Sequence, residues 1–358
     1  MAVTEFANAS AQNVNIWSKI TMSEALKGTY FFKKFLGKDE YSIIQRITDL
    51  EKSAGDTIKY DLLMQMTGAG VTGDNRLQGN EEALTYHQDS VVIDQLRHAH
   101  AFKRMSQQRT LHDLRKAASK NLGMWWSTKW EEYMFRYLCG DTSMNHAQAG
   151  LAPDTAHYIM AGDVSSTGVI ATDEGNLGAN DQLKLEDLDY AKEKAITNNP
   201  PMRPVKIEGD EYFVMVMHPY SVTDLKLNLG GSTAAKWQEI QMYANLRGLK
   251  NPIFTGALGV YNKIILYESH KIYTPVSNVR RNIMLGAQAA TFALGNAYDR
   301  IDQRKVGKDN FLSWDEDKDD YGNEKGVAAG SIFGMKKTRF NSKDFGTMVI
   351  SCYSAAHS

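Results

Sequence analysis

Three stretches of the chain hold residue types at spacings that could do chemistry. The first is Gly68-Ala69-Gly70-Val71-Thr72-Gly73, a literal G-x-G-x-x-G behind a strand-like run. Such glycines let a backbone turn tightly and approach a pyrophosphate at a helix N-terminus, so a dinucleotide site requires a helix to open here. The next residues, Asp74 to Glu82 (DNRLQGNEE), hold another glycine and no amphipathic run. The stretch reads as a ribbon tip. The second is the acidic group Asp315, Asp317, Asp319 and Asp320. An EF-hand loop wants glycine sixth and glutamate twelfth; here Asp320 stands sixth, and Lys325 and Gly326 fall near the twelfth. A solvated acidic loop is the expectation. The third is His98 and His100, on one side of a strand and spaced to share a metal, with no third ligand suggested nearby.

Other signals of catalysis are missing from the sequence: there is no P-loop, no G-x-S-x-G elbow and no H-E-x-x-H. Trp125, Trp126 and Trp130 read as packing residues on a helix, not as a platform for stacking bases. Cys139 and Cys352 are too few for a disulfide framework or a four-cysteine zinc site and read as reduced thiols. These residues assign no catalytic residue, no cofactor and no metal.

The elements that would carry these residues are extended. The chain has 358 residues, 42% hydrophobic and 23% charged, enough apolar surface for a sizeable core and incompatible with a disordered chain. Its 41 basic and 42 acidic side chains leave a net charge of −1 with no basic stripe, which speaks against a dedicated nucleic-acid binder. The start has no basic region followed by an apolar core, and the longest nearly apolar run, Ile283 to Gly295, is too short to span a bilayer. The expectation is a soluble intracellular product. Aromatics are dense early (Phe6, Trp17, Tyr30, Phe31, Phe32, Phe35), with a short helix expected from Ser23 to Phe35 capped by Thr21 or Ser23.

From Asp56 to Met66, Ile58, Tyr60, Leu62, Met64 and Met66 alternate with polar residues, a strand with one buried face. A second strand is read from Ala83 to Leu96, making a ribbon of about 35 Å reach with a glycine-rich tip. From Ser106 to Leu138 the period shifts to three and four, predicting a rod of about 50 Å capped by Ser106 and ended by Gly140, weakened only at Gly123. Helices are expected over Leu185 to Asn198, Ser221 to Leu229 and Ala234 to Tyr243. Buried strands are expected over Tyr212 to Met217 and Ile264 to Tyr267, with a β-rich close from Thr347 to Tyr353. Ile283 to Leu294 reads as a small-residue helix or as strands, and Trp314 to Gly322 as a loop. The mixture is α+β. An arm, a ribbon and a rod bury poorly within one subunit and well between many, which favours an assembly protein over an enzyme.

Several short motifs follow one another in a set order: Ile43-Ile44-Gln45, Asp49-Leu50-Glu51-Lys52, Gly55-Asp56, Leu77-Gln78-Gly79-Asn80-Glu81-Glu82, Asp94-Gln95-Leu96-Arg97, Gln107-Gln108-Arg109, Asp113-Leu114-Arg115 and Trp125-Trp126. They continue with Met217-His218-Pro219, Pro252-Ile253-Phe254-Thr255-Gly256, Leu258-Gly259-Val260-Tyr261, Glu268-Ser269, Asp320-Tyr321-Gly322-Asn323 and the run from Gly334 to Phe340.

In their order along the chain these motifs resemble the major capsid protein family of tailed bacteriophages typified by phage N-four, and the resemblance implies the α+β Hong Kong 97-type capsid fold. Its parts would be an N-terminal arm (1–48), an extended β-hairpin loop (49–100), a spine helix with peripheral domain (101–199), an axial domain (200–300) and a return to the peripheral domain (301–358). It implies a structural major capsid protein that is not an enzyme, self-assembling as hexamers and pentamers into an icosahedral shell around double-stranded DNA. Implied partners are other copies, portal and scaffolding proteins, a decoration protein, and packaged DNA through weak non-specific contact, with no membrane. The place is the virion capsid, assembled in the host bacterial cytoplasm. On that basis the ribbon face Ile58, Tyr60 and Leu62 is expected on a neighbouring subunit, and Glu51, Glu81, Glu82, Arg97, Arg109 and Arg115 are expected to set register between subunits. The alternatives are a small-oligomer viral adaptor or binding module, which would form a fixed ring, and a dinucleotide-binding enzyme, which would need the Gly68–Gly73 run to open a helix.

Overall fold

In a computed structural model, which describes residues 31–48, 55–63, 68–161, 173–207, 209–227, 257–295 and 312–357 together with residues 21, 22, 24, 25, 29 and 66, the alternating run is the strand Thr57–Leu63. It pairs antiparallel with Tyr86–Val92, Thr57 opposite Val92 and Leu63 opposite Tyr86. The described paired strands span about 23 Å, and the second leg, expected to run on to Leu96, ends at Val92. The Ile93 N–H bonds the Asp56 carbonyl at 2.8 Å. The chain then continues as Asp94–Lys103, which pairs antiparallel with the long strand Glu324–Lys337.

The rod is also reset. A short helix, Arg104–Arg109, precedes the spine helix Leu114–Leu138, about 37 Å long. The break comes from Asp113, whose extended backbone and carboxylate, accepting the Arg115 N–H at 3.0 Å and the Lys116 N–H at 3.3 Å, form a better N-cap than Ser106. Ser106 lies inside the short helix, and Leu111, expected on the apolar stripe, stands fully exposed in the gap. The end is as expected: Gly140 takes the left-handed conformation (φ 75°) that a side chain would resist. Gly123 is where the chain near residues 21–25 crosses the helix, since a Cβ there would lie 2.9 Å from the Thr21 carbonyl oxygen. Thr21 itself bonds Ser119 at 2.7 Å between hydroxyls.

Two sheets flank the spine. One runs in the order Leu36–Gly37, Ile44–Ile47, Ala290–Leu294, Glu324–Lys337, Ser313–Asp319, with Asp94–Lys103 on the other side of the long strand. The acidic stretch expected as a loop is thus the strand Ser313–Asp319. Backbone pairing with 324–330 supplies its order, and charged side chains suit a sheet edge. The other sheet runs Gly259–Tyr261, Ile264–Glu268, Asp210–Met217, Val279–Leu285, Thr347–Tyr353, Tyr158–Met160, with Val205–Ile207 also on Asp210–Met217.

This second sheet explains the continuous apolar runs, because both of its faces are covered. Val214, Val216, Ile265, Tyr267, Ile283 and Leu285 share a core with Trp126, Trp130 and Phe135 of the spine. Phe213, Met215, Met217, Leu266, Met284 and Ile350 pack with Leu188 and Ala191 of the helix Leu185–Thr197 and Leu225 of the helix Pro219–Leu227. Ile283 to Leu294 resolves into the end of the strand Val279–Leu285 and the whole strand Ala290–Leu294, one in each sheet. The boundaries at 200 and 300 therefore do not follow the sheets: Ala290–Leu294 leaves the second sheet, and Thr347–Tyr353 enters its middle. Phe31 and Phe35 of the early aromatic segment are buried in the chain's own core, with ring centroids 4.4 Å from Phe135 and 5.6 Å from Tyr267. The expected helix Ala234 to Tyr243 lies outside the described residues.

Candidate functional site

The hairpin and the loop it carries project the residues expected to meet other subunits. At the tip, Glu81 accepts the Gly79 N–H and Glu82 accepts the Gly68 N–H, each at 2.7 Å, so both exposed glutamates order the loop that carries them. Asn80 donates to the Arg76 carbonyl at 2.9 Å and Asn75 to that of Thr72 at 2.8 Å. Leu77 and Leu84 stand about three-fifths exposed on this loop, at 63% and 60%. Nothing helical comes after Gly73: the chain runs irregularly to Tyr86. As a phosphate-binding turn the glycine run lacks its helix.

The ribbon face divides at its root. Ile58 is buried against Val91 and Ala293 of its own chain. Tyr60 is half-buried, its ring edge-on to Phe340 at 6.0 Å, its hydroxyl donating to Asp89 Oδ2 at 2.8 Å and accepting from Thr291 Oγ1 at 3.2 Å. Burial and then the Asp89 charge push the Tyr60 phenol well above its ordinary pKa. Leu62, opposite His87 and further out, is half-exposed. Arg97, opposite Gly330, and Arg109, in the last turn of the short helix, are exposed. Arg115 donates through Nε to Glu316 at 2.8 Å within the subunit. Glu51 lies outside the described residues. The remaining charged candidates therefore sit on three separate elements: the tip, the strand Asp94–Lys103 and the short helix.

Two polar clusters leave no mark in the sequence because their members are remote in the chain. One is Asp89 with Lys336, Ser90 and the Arg339 N–H at the hairpin root. The other joins the spine to the second sheet. Arg281 donates to Glu174 through Nε at 2.7 Å and Nη2 at 2.9 Å, and through Nη1 to the Cys139 and Gly140 carbonyls at 3.1 and 2.7 Å. It neutralises the negative end of the helix dipole as well as a carboxylate. Burial alone would raise the Glu174 carboxyl; the Arg281 guanidinium and the Ser351 and Tyr158 hydroxyls outweigh it and hold the pKa below the ordinary range.

The residues that could have done chemistry are occupied structurally. His98 stacks on Trp125 at 4.4 Å, and His100 Nε2 lies 2.9 Å from Asn121 Nδ2. Among the described residues no group of three or more His, Cys, Asp or Glu could hold a metal ion. Burial pushes the Cys139 thiol up to about 12 and the Cys352 thiol up to about 11, far from a reactive thiolate. Among the described residues no helix is long and apolar enough to cross a membrane.

The family model described as phage capsid protein matches residues 5–356. The chain belongs to this family. It is 28% identical to the major capsid protein of Pseudomonas phage KPP25 in an alignment covering 99% of this chain and 98% of that one. Among solved structures it is similar to the capsid of Ralstonia phage GP4, with a TM-score of 0.78 and 31% identity over 100% of this chain and 96% of that one. The capsid asymmetric unit of cyanophage Pam1 shares the fold at a TM-score of 0.70 and 21% identity, covering 100% and 95%. The α+β Hong Kong 97-type fold implied by the sequence resemblance is the fold observed. As a phage capsid protein, this chain is a structural, shell-forming subunit, and its working parts are the surfaces it presents to other copies.

Proposed function

We propose that this chain is the major capsid protein of a tailed bacteriophage, tiling as hexamers and pentamers into an icosahedral shell around double-stranded DNA, and that it has no catalytic activity. The observation that carries this reading is the hairpin loop: an ordered element that leaves the body, stabilises its own tip through Glu81 and Glu82, and carries exposed Leu77 and Leu84. In this reading the two leucines meet a neighbouring subunit. Residues up to about 48 form the arm, which lends Leu36–Gly37 and Ile44–Ile47 to the six-stranded sheet; the hairpin and its tip form the extended loop, the spine helix with the other strands of that sheet the peripheral domain, and the seven-stranded sheet with its two helices the axial domain. Leu62, Glu81, Glu82, Arg97 and Arg109 are the contacts still open to neighbours, and Glu51 is kept with them.

A single exposed ion pair contributes about 0–1 kcal/mol, so register comes from repetition over the shell. The near-zero net charge of −1 suits a wall that touches packaged DNA weakly and without sequence preference. Portal, scaffolding and decoration proteins are the proposed partners, with assembly in the host cytoplasm before the protein resides in the virion. The test is Glu81→Arg combined with Glu82→Arg. The reversal removes two acceptors that order the tip and inverts its charge; the expected product is a folded subunit that does not close shells. Normal shells from this variant would contradict the proposed role of the tip.

A further inference from the structure

Asp89 stands opposite Tyr60 in the hairpin, and Thr291 stands opposite Lys336 in the body sheet. These two cross-strand pairs face each other. Tyr60 donates to Asp89 Oδ2 at 2.8 Å and accepts from Thr291 at 3.2 Å. Lys336 Nζ donates to Asp89 Oδ1, and to the Ser90 carbonyl at 2.9 Å. The carboxylate also takes the Arg339 N–H at 3.1 Å on Oδ2 and the Ser90 N–H at 2.8 Å on Oδ1. Its side chain is 7% exposed and that of Lys336 16%, so the charge pair is screened little by solvent.

Inward of this square the hairpin is held by apolar contacts of Ile58 and Val91 with Ala293 and by the Val92 N–H on Gln148 Oε1 at 3.4 Å. Outward of it the tip holds itself through Glu81, Glu82, Asn75 and Asn80. The square is thus the outermost polar link described between the hairpin and the body. It joins them at one register, because a one-residue slip in either strand pair would turn Asp89 or Lys336 to the opposite face. The apolar contacts are non-directional, and the inward Val92–Gln148 bond, long at 3.4 Å and close to the root, is a weak hold on the angle of the loop.

We propose that Asp89 is a positioning residue for assembly: with Tyr60, Thr291 and Lys336 it fixes the angle at which the extended loop leaves the body, and so where the loop tip reaches on a neighbouring subunit. This rests on the shell-forming reading above. Loss of the square leaves the fold intact and changes the geometry of the lattice, because every subunit repeats the same error.

The test compares wild type, Asp89→Asn and the double variant Asp89→Asn with Lys336→Met. Asp89→Asn strands the Lys336 charge; the double variant removes that charge and leaves the square broken. Amide hydrogen exchange on the unassembled full-length subunit is expected to be at least about tenfold faster across the hairpin strands in both variants, with the spine helix unchanged. In assembly with whatever partners the wild type needs, both variants are expected to give open or irregular shells, although the double variant recovers wild-type thermal stability. Unaltered hairpin exchange, or shells of wild-type diameter and yield from the double variant, would overturn the proposal. If wild-type protein forms no shells with those partners, the shell reading fails, and the exchange comparison still decides whether the square holds the loop.

Discussion

Replacing Arg281 by Met should be among the most damaging single changes in this protein, and the structure says how damaging. Arg281 makes four hydrogen bonds, two to Glu174 and two to carbonyls at the end of the spine helix. The side chains of Arg281 and Glu174 are only 14% and 10% exposed. Removing one partner of such a buried pair leaves a charge without compensation and costs about 3–5 kcal/mol. Glu174 would keep the Ser351 and Tyr158 hydroxyls at 2.6 and 2.7 Å, so the expected loss is near the lower end, about 3 kcal/mol. Equilibrium urea unfolding followed by tryptophan fluorescence measures it.

The loss has a pH signature. The Glu174 carboxyl is held below its ordinary value, so its stabilising contribution is complete above the ordinary carboxylate range and is lost as pH falls through the lower folded value. The gap between wild type and Arg281→Met should therefore be widest near neutrality and narrow in acid. Adding Glu174→Gln to Arg281→Met should recover more than half of the loss, because the stranded charge is gone. A loss below about 1 kcal/mol at neutral pH, the size of an ordinary exposed pair, would refute the reasoning; so would a double variant as unstable as the single one.

Other buried groups give two more expected outcomes. Asp187, whose carboxylate accepts the Lys184 N–H at 2.7 Å at the start of Leu185–Thr197, has its pKa raised to about 6 by burial. Its ionisation therefore costs stability as pH rises from the unfolded to the folded value, and Asp187→Asn should be more stable than wild type by about 1–3 kcal/mol near pH 8 and nearly equal to it near pH 4; thermal melts at the two pH values check it. Cys139 and Cys352, both buried with raised thiol pKa values, should react with a thiol reagent in the native subunit no faster than global opening allows, and rapid labelling of either would contradict their burial.

Much of the fold was legible where a single period dominates. The alternation through Ile58, Tyr60 and Leu62 is a half-buried strand, and the stripe from Leu122 to Leu138 is a helix, because in each case one face meets a core. The differences arose where a local signal competed with another or a remote partner decided. Ser106 and Asp113 are both of cap-forming type, and only the two N–H groups gathered by Asp113 decide between them. Ser313–Asp319 has no hydropathy pattern at all; its strand state is imposed by the neighbouring long strand. Ile283–Leu285, the end of one strand, and Ala290–Leu294 are buried on both faces, so periodicity could not tell strand from helix.

The working surface was legible as an outline, an extended loop with charged and apolar residues at its tip. Its root was not. Asp89 and Lys336 are 247 residues apart, as Glu174 and Arg281 are 107 apart, and spacing carries no trace of such pairs. Ile58 and Tyr60 illustrate the same limit, since a buried-face pattern marks that a face is covered without saying by which chain.

The central claim, that this chain builds a phage shell, is tested most directly by sedimentation and electron microscopy of the purified protein, alone and with candidate scaffolding and portal proteins. The expected result is closed or partial shells with hexameric and pentameric capsomers. A stable monomer or a fixed small ring under every one of these conditions would contradict it.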